Sequence, residues 1–341
     1  MLHLVAAHNR LSTVALLLAE GADPSERHAT YSTPLLATLE ACAAEKLSHC
    51  HALDIEDKAY LLDMAGYKRQ LLVDQENFSH REVASFKEIV RLLLKRGACA
   101  SGPPGRFGSV LALAAFQRWD DLTDDLLAHD ACASSAGRIL PCALLVAIDQ
   151  GSIEIVRRLL NVGIKDGTVV DPEGIALHRA CDKADLTIVK LLLQHGYSHD
   201  GRDEQGRSAL FNIFKKLRSL HEKRFRRLGH EASSHAHELS MTRNIMQVFL
   251  SLDLLDPIPD EDLVAACDIA GLDSEQTIFE SILARWNGSE FPEEGLYHLV
   301  KNSRRERAGA WEVHLEGKYK LKISTRVLAS ARDARCVKKL L

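Results

Sequence analysis

No CxxC pair occurs in these 341 residues. The eight cysteines, at 42, 50, 99, 132, 142, 181, 267 and 336, also lack tight Cys/His spacing. Neither a zinc site nor a disulfide framework is therefore expected, and a reduced chain in the cytoplasm or nucleus is the simplest reading. No segment approaches 18 uninterrupted apolar residues, so no transmembrane helix is expected. The opening MLHLVAAHNRLSTVALLLAEGA has an apolar run before small residues, but it lacks a basic start and Arg10 interrupts it, unlike a signal peptide. Aromatics are only 6%, with three Trp, which favours a core of Leu, Ala, Val and Ile over aromatic-lined pockets. Charge of one sign is not in excess either: the net charge of -4 and pI near 6.5 give no overall pull toward nucleic acid or acidic membrane. GxxxxGK, HExxH and GxSxG are all missing, so no catalytic set is visible and no cofactor, metal or small-molecule substrate is expected. What is present, 46% hydrophobic and 26% charged residues, is the composition of a folded chain.

Self-similarity organises that composition. Leu-centred phrases begin at Leu2 (LHLVAA), Leu35 (TPLLATL), Leu111 (VLALAAF), Leu144 (ALLVAID), Leu177 (ALHRACD), Leu210 (ALFNIF), Leu263 (DLVAACD), Leu296 (GLYHLV) and Leu328 (VLASARD). Six of the eight intervals are 32 or 33 residues; the other two are 76 and 53. Each phrase is followed by a second apolar stretch and a stop, as in VALLLAEGADP, IVRLLLKRGACA, IVRRLLNVGI and IVKLLLQHGYS. The unit reads as two short antiparallel helices and a turn. Gly21, Gly97, Gly163 and Gly196 suit helix C-caps, where a left-handed backbone is needed, and Pro34 suits a first helical turn.

These residues resemble the ankyrin repeat family, whose pattern is roughly TPLHxAxxxGHxxVVxLLLxxGAD. Residues 2–23 and 176–196 match it best; Thr33 and Pro34 keep the TP, and His3 and His178 keep the His. Several units lose the TP or the His, and Asp130 stands where the capping Gly is usual. The resemblance covers most of 1–285 and implies an all-α solenoid of about eight degenerate repeats, with 286–341 as degenerate C-terminal units. Two insertions interrupt it, at about 40–84 and 215–240. AYLLDMAGYKRQLL at 59–72 has helical spacing, so the first is expected to form a helix against the array. Near the end, WEVHLEGKYKLKI at 311–323 alternates apolar and polar and competes as a β-hairpin, aligning Trp311, Val313 and Leu315 with Ile323, Leu321 and Tyr319. Both array ends fall short of polar caps, which points to docking against another polypeptide or to an incomplete chain.

Four features invite chemistry. WDDLTDD places Asp120, Asp121, Asp124 and Asp125 one turn apart and resembles the DDxxD metal motif of isoprenoid synthases; in phase with Leu111, it reads as the solvated face of a second helix with Leu122, Leu126 and Leu127 inward. His221, His230, His235 and His237, around SSHAHELS, read as a polar loop rather than a metal site. Cys99 and Cys132 lie one repeat apart, and nothing marks either thiol as activated. Lys215, Lys216, Arg218, Lys223, Arg224, Arg226 and Arg227 face only Glu222, so 215–227 carries +6 and the remainder -10. With Phe214, Leu217, His221, Phe225 and Leu228 on one stripe, this is an amphipathic basic helix able to meet calmodulin, RNA or an anionic membrane, or to act as a nuclear import signal; the plainer reading is a solvated, extended first helix.

The expected function is a non-enzymatic protein-interaction scaffold or adaptor. The resemblance implies partner contact at the turn tips and on the exposed, concave side of the first helices. Carried onto this chain, the tips are Arg106, Phe107, Arg138, Asp171, Glu173, Asp203, Glu204 and Arg207, and the helix positions are Gln117, Arg118, Asp149, Gln150, Asp182 and Lys183. The alternative is a regulator that meets nucleic acid or an anionic membrane through 215–227.

Overall fold

The computed structural model describes residues 1–29, 32–48, 80–105, 107–131, 142–166, 175–199, 201–203, 205–226, 232–251, 258–270, 276–302, 315, 319–321 and 323–330. The chain forms two compact units, Met1–Pro172 and Glu173–Leu341, and both are built from helix pairs.

The first unit contains α1 (Leu2–Ala7), α2 (Leu11–Ala19), α3 (Pro34–Ser48), α4 (His80–Lys95), α5 (Val110–Gln117), α6 (Asp120–Leu127), α7 (Ala143–Gln150) and α8 (Ile153–Asp166). First helices pack on first helices, α1 on α3, α3 on α5 and α5 on α7, while the second helices α2, α4, α6 and α8 form a parallel layer. The short first helices are apolar on nearly every side: Val110 to Phe116 and Ala143 to Ile148 are all buried. The second helices are amphipathic, as α8 shows with Ile155, Val156, Leu159 and Leu160 inward and Glu154 and Arg157 outward.

Two left-handed joints punctuate each pair. Within pairs, Asn9 (φ 59°), Arg118 (φ 59°) and Gly151 (φ 65°) turn the chain from first to second helix. After the second helix, Gly21 (φ 92°) and Gly97 (φ 87°) do the expected capping, and Asp130 adopts φ 57° in the place of its missing Gly. Gly163 differs from expectation: α8 continues through it to Asp166. The helix starts are capped in register, by Thr33 Oγ1 accepting from Leu36 N at 3.3 Å and by Ser109 Oγ accepting from Ala112 N at 3.1 Å.

The second unit repeats the plan with α9 (Ile175–Lys183), α10 (Leu186–Gln194), α11 (Ala209–Arg226), α12 (Ala232–Ser251), α13 (Asp260–Ala270), α14 (Gln276–Arg285), α15 (Glu293–Asn302) and α16 (Thr325–Ser330). Here α9, α11, α13, α15 and α16 pack in succession. Ala184 (φ 58°) and Gly196 (φ 81°) make the two joints, and Ser208 Oγ caps Phe211 N at 3.0 Å. His3 and His178 perform the same task in their own units: each Nε2 meets a backbone carbonyl 23 residues on, Glu26 O at 2.7 Å and Gly201 O at 2.9 Å. Burial lowers the pKa of His3 and favours the neutral ring, against the opposing pull of Glu26.

Both insertions fall between the helices of one pair and lengthen them: α3 and α4 run to 15 and 16 residues, α11 and α12 to 18 and 20. The helix expected at 59–72 lies outside the described residues. The hairpin expectation is revised. Lys320 and Leu321 (β2) pair in parallel with Glu290 and Phe291 (β1), and Leu315 is helical, while Trp311 and Val313 lie outside the described residues. An aromatic cluster explains the choice of partner: Trp286 lies 5.8 Å from Phe291 and 5.0 Å from Tyr319, ring centre to ring centre, so β2 is drawn to β1 by packing that alternation cannot reveal.

Candidate interaction surface

The best-defined turn tip is 201–208. Asp203 Oδ1 accepts from Gln205 N and Arg207 N, each at 2.9 Å, and Oδ2 accepts from Arg207 Nε at 2.8 Å and Nη2 at 2.6 Å. Burial would raise the Asp203 pKa, but these donors outweigh it and hold the carboxyl down to about 2. Gly206 (φ 76°) closes the turn, and Arg202 bridges Ser208 across it. Asp203 and Arg207 thus satisfy each other and stiffen the tip. Glu204, Arg106, Arg138, Asp171 and Glu173 lie outside the described residues.

Phe107 requires a correction, because it is fully buried and cannot meet a partner directly. Its backbone N–H reaches Glu40 Oε1 at 3.5 Å, and a Cβ on Gly105 would press against Glu40 and Leu36. The loop therefore folds down onto α3 and carries the phenyl ring into the core. The first-helix positions do reach the surface: Arg118, Asp182 and Lys183 are exposed, and Gln117, Asp149 and Gln150 are half-buried.

In the basic segment, α11 extends to Arg226 with Phe214, Leu217 and His221 buried along one stripe, as the pattern requires. Its described cations differ in role. Lys216 Nζ donates to Asp182 O at 2.9 Å and pairs with Glu238 at 2.6 Å. Arg218 pairs with Glu222 at 2.8 Å and with Asp268. Lys215 is exposed. The side chains of Lys223, Arg224 and Arg226, and all of Arg227, lie outside the described residues, as does His230. SSHAHELS is not a loop: α12 begins at Ala232, and Leu239, Thr242, Ile245, Met246 and Phe249 form the buried stripe that carries the helix past its polar start. His221 sits in the core of α11, apart from exposed His237.

The acidic cluster faces cations of neighbouring second helices. Asp121 accepts from Lys87 at 2.6 Å and Arg91 at 2.7 Å, Asp125 from Arg91 at 2.7 Å, and Asp124 from Arg158 at 3.0 Å. Leu122 and Leu126 point inward. These carboxylates lace α4, α6 and α8 together. Cys99 is exposed, with Sγ 3.4 Å from Ser101 Oγ; Cys132 lies outside the described residues.

Two arrangements were not anticipated. Ser208 Oγ donates to Asp262 Oδ1 at 2.6 Å in a buried contact between neighbouring repeats, and burial raises the Asp262 pKa. Along the first helices of the second unit, Arg218 meets Asp268, His298 Nδ1 lies 2.6 Å from Asp268 without hydrogen-bond alignment, His298 Nε2 lies 3.6 Å from Glu294, and Glu294 pairs with Arg326 at 2.7 Å. Glu294 and Arg326 are 32 residues apart, so aligning the repeats by phase could have found that pair.

The family profile of ankyrin repeats, in three copies, matches residues 144–213. Among solved structures, the ankyrin repeat domain of Bcl-3, described as a unique member of the IkappaB protein family, is 21% identical over 64% of this chain and 83% of its own, with a TM-score of 0.40. The human ASB11 ankyrin repeat domain is 22% identical over 61% of this chain and 89% of its own, with a TM-score of 0.35. A search of curated proteins finds no match. The matched segment holds the His178 bond, the left-handed joints at Gly151, Ala184 and Gly196, and the Ser208 cap, and residues 144–213 are accordingly a segment of ankyrin repeats.

Proposed function

We propose that this chain is a non-enzymatic scaffold or adaptor that binds a protein partner through its turn tips and the exposed side of its first helices. Ankyrin repeats are protein-interaction modules, and the observation that carries the reading is the division of labour along α5, α7 and α9. Their apolar residues are committed to packing, while Gln117, Gln150 and Lys183 recur at one 33-residue phase, Asp149 and Asp182 at a second, and Arg118 stands at the joint after α5, all reaching the surface. Such positions can vary without disturbing the core of their own unit. The described cysteines, Cys42, Cys99, Cys142, Cys181 and Cys267, are all free, which supports a cytoplasmic or nuclear setting.

The test is affinity capture of the full chain with mass spectrometry, followed by binding of the purified partner to the wild type and to a variant carrying Arg118→Ala, Asp149→Ala and Asp182→Ala. The expected outcome is a stoichiometric complex weakened by the triple change. Failure of any purified candidate to bind the wild type overturns the reading. The alternative, a regulator meeting nucleic acid or an anionic membrane through 215–227, draws support from exposed Lys215, but Lys216 and Arg218 already hold Glu238, Glu222 and Asp268. Salt-sensitive RNA or vesicle binding, abolished by neutralising Lys223, Arg224, Arg226 and Arg227, would favour it.

A further inference from the structure

The first helices of the second unit divide electrostatically. From Arg218 onward, ion pairs run along and between the first helices: Arg218 with Glu222 and Asp268, and Glu294 with Arg326, whose guanidinium also stacks 4.2 Å from the Tyr297 ring centre. Between α9 and α11 no ion pair joins the two helices among the described residues. Lys216 spans these helices to Asp182 O, which sets residues 182–183 beside 215–216. Lys183 and Lys215 are both exposed there, and neither makes an ion pair among the described residues. The nearby carboxylate of Asp182 lies in the field of Lys216, Lys215 and Arg207; Lys216 and Arg207 are already paired with Glu238 and Asp203, whereas Lys215 makes no ion pair among the described residues.

We infer that the α9–α11 strip around Lys183 and Lys215 docks an acidic segment of the partner protein, its carboxylates seated on these two ammonium groups. This rests on the scaffold reading and narrows it to a partner chemistry. Charge complementarity selects the occupant: two exposed ammonium groups flanking one carboxylate suit separate Glu or Asp side chains, which can straddle Asp182. A continuous phosphate backbone or a charged bilayer would instead be pressed against Asp182 and the exposed Glu222. The partly exposed face also allows steering, in which the cationic strip raises the encounter rate at low salt.

The test uses the full chain and a fluorescein-labelled ten-residue peptide of alternating Glu and Gly, read by fluorescence anisotropy at two salt concentrations. The wild type should bind with salt-sensitive affinity, Lys183→Glu with Lys215→Glu should weaken binding by about tenfold or more, and Lys190→Glu, on the exposed side of α10, should leave it unchanged. Circular dichroism checks the fold of each variant; if the double Glu variant does not fold, Lys183→Gln with Lys215→Gln decides, with a smaller loss expected. No peptide binding, equal binding by the double variant, or tighter binding to oligouridylate or phosphatidylserine vesicles than to the peptide overturns the inference. A purified partner that binds the wild type and the double variant equally would sink this inference and leave the scaffold reading standing, whereas absence of any protein partner would sink both.

Discussion

Replacing His178 with Ala probes the link between turn and helix most directly. The ring is 4% exposed, Asn212 Nδ2 lies 3.2 Å from its Nδ1, and its Nε2 lies 2.9 Å from Gly201 O. Because the amide nitrogen donates, Nδ1 accepts, which leaves the proton on Nε2 to donate to the carbonyl. His178→Ala removes both bonds, strands the buried Asn212 amide and opens space between α9 and α11. One net hydrogen bond contributes about 1 kcal/mol and a stranded buried polar group costs about 1–3 kcal/mol, so a total near 2–4 kcal/mol is expected. Urea unfolding of the full chain, followed by circular dichroism, should show the transition of the second unit moving to lower denaturant. Asn212→Ala and the double variant complete a cycle, with a coupling of about 1 kcal/mol between the two side chains. A loss below about 0.5 kcal/mol for His178→Ala, the range of ordinary surface substitutions, would refute the claim that this bond ties the repeats together.

Ala184→Gly should stabilise the second unit by about 0.5–1 kcal/mol in the same assay, because Ala184 holds φ 58°, a conformation that glycine adopts without steric cost. Asp121→Asn should cost less than about 1 kcal/mol at neutral pH, since the Lys87 and Arg91 pairs are about half-exposed on the Asp121 side and screened by solvent. Burial opposes ionisation of Asp121, but the bonds from Lys87 and Arg91 prevail and lower its pKa; its contribution is therefore present above the unfolded value near ~3.9 and is lost as pH falls through the lower folded value, which stability curves of the wild type and Asp121→Asn should show by converging in acid. Gly288→Ala should destabilise by about 1–3 kcal/mol and alter tryptophan fluorescence, because a Cβ there would overlap the Trp286 ring and break the cluster that holds β2 on β1.

The amino-acid order by itself determined the repeat and its joints. Leucine phrases 33 residues apart, His3 and His178 at one phase, and Gly21, Gly97 and Gly196 after apolar runs all describe structure within about one repeat, where chain connectivity brings the interacting groups together. The stripe of Phe214, Leu217 and His221 was legible for the same reason. Gly163 inside α8, the helical SSHAHELS and buried Phe107 were not, since each depends on what a neighbouring element offers: length for one more turn, an apolar stripe farther along, or Glu40 on α3 to receive the loop. The acidic cluster shows the limit most plainly. Four aspartates in seven residues reveal no partner in the sequence, and only the positions of Lys87, Arg91 and Arg158 on adjacent helices decided which cations Asp121, Asp124 and Asp125 meet. Charge neutralisation works through space over a few ångströms, and three-dimensional packing alone sets which side chains come that close.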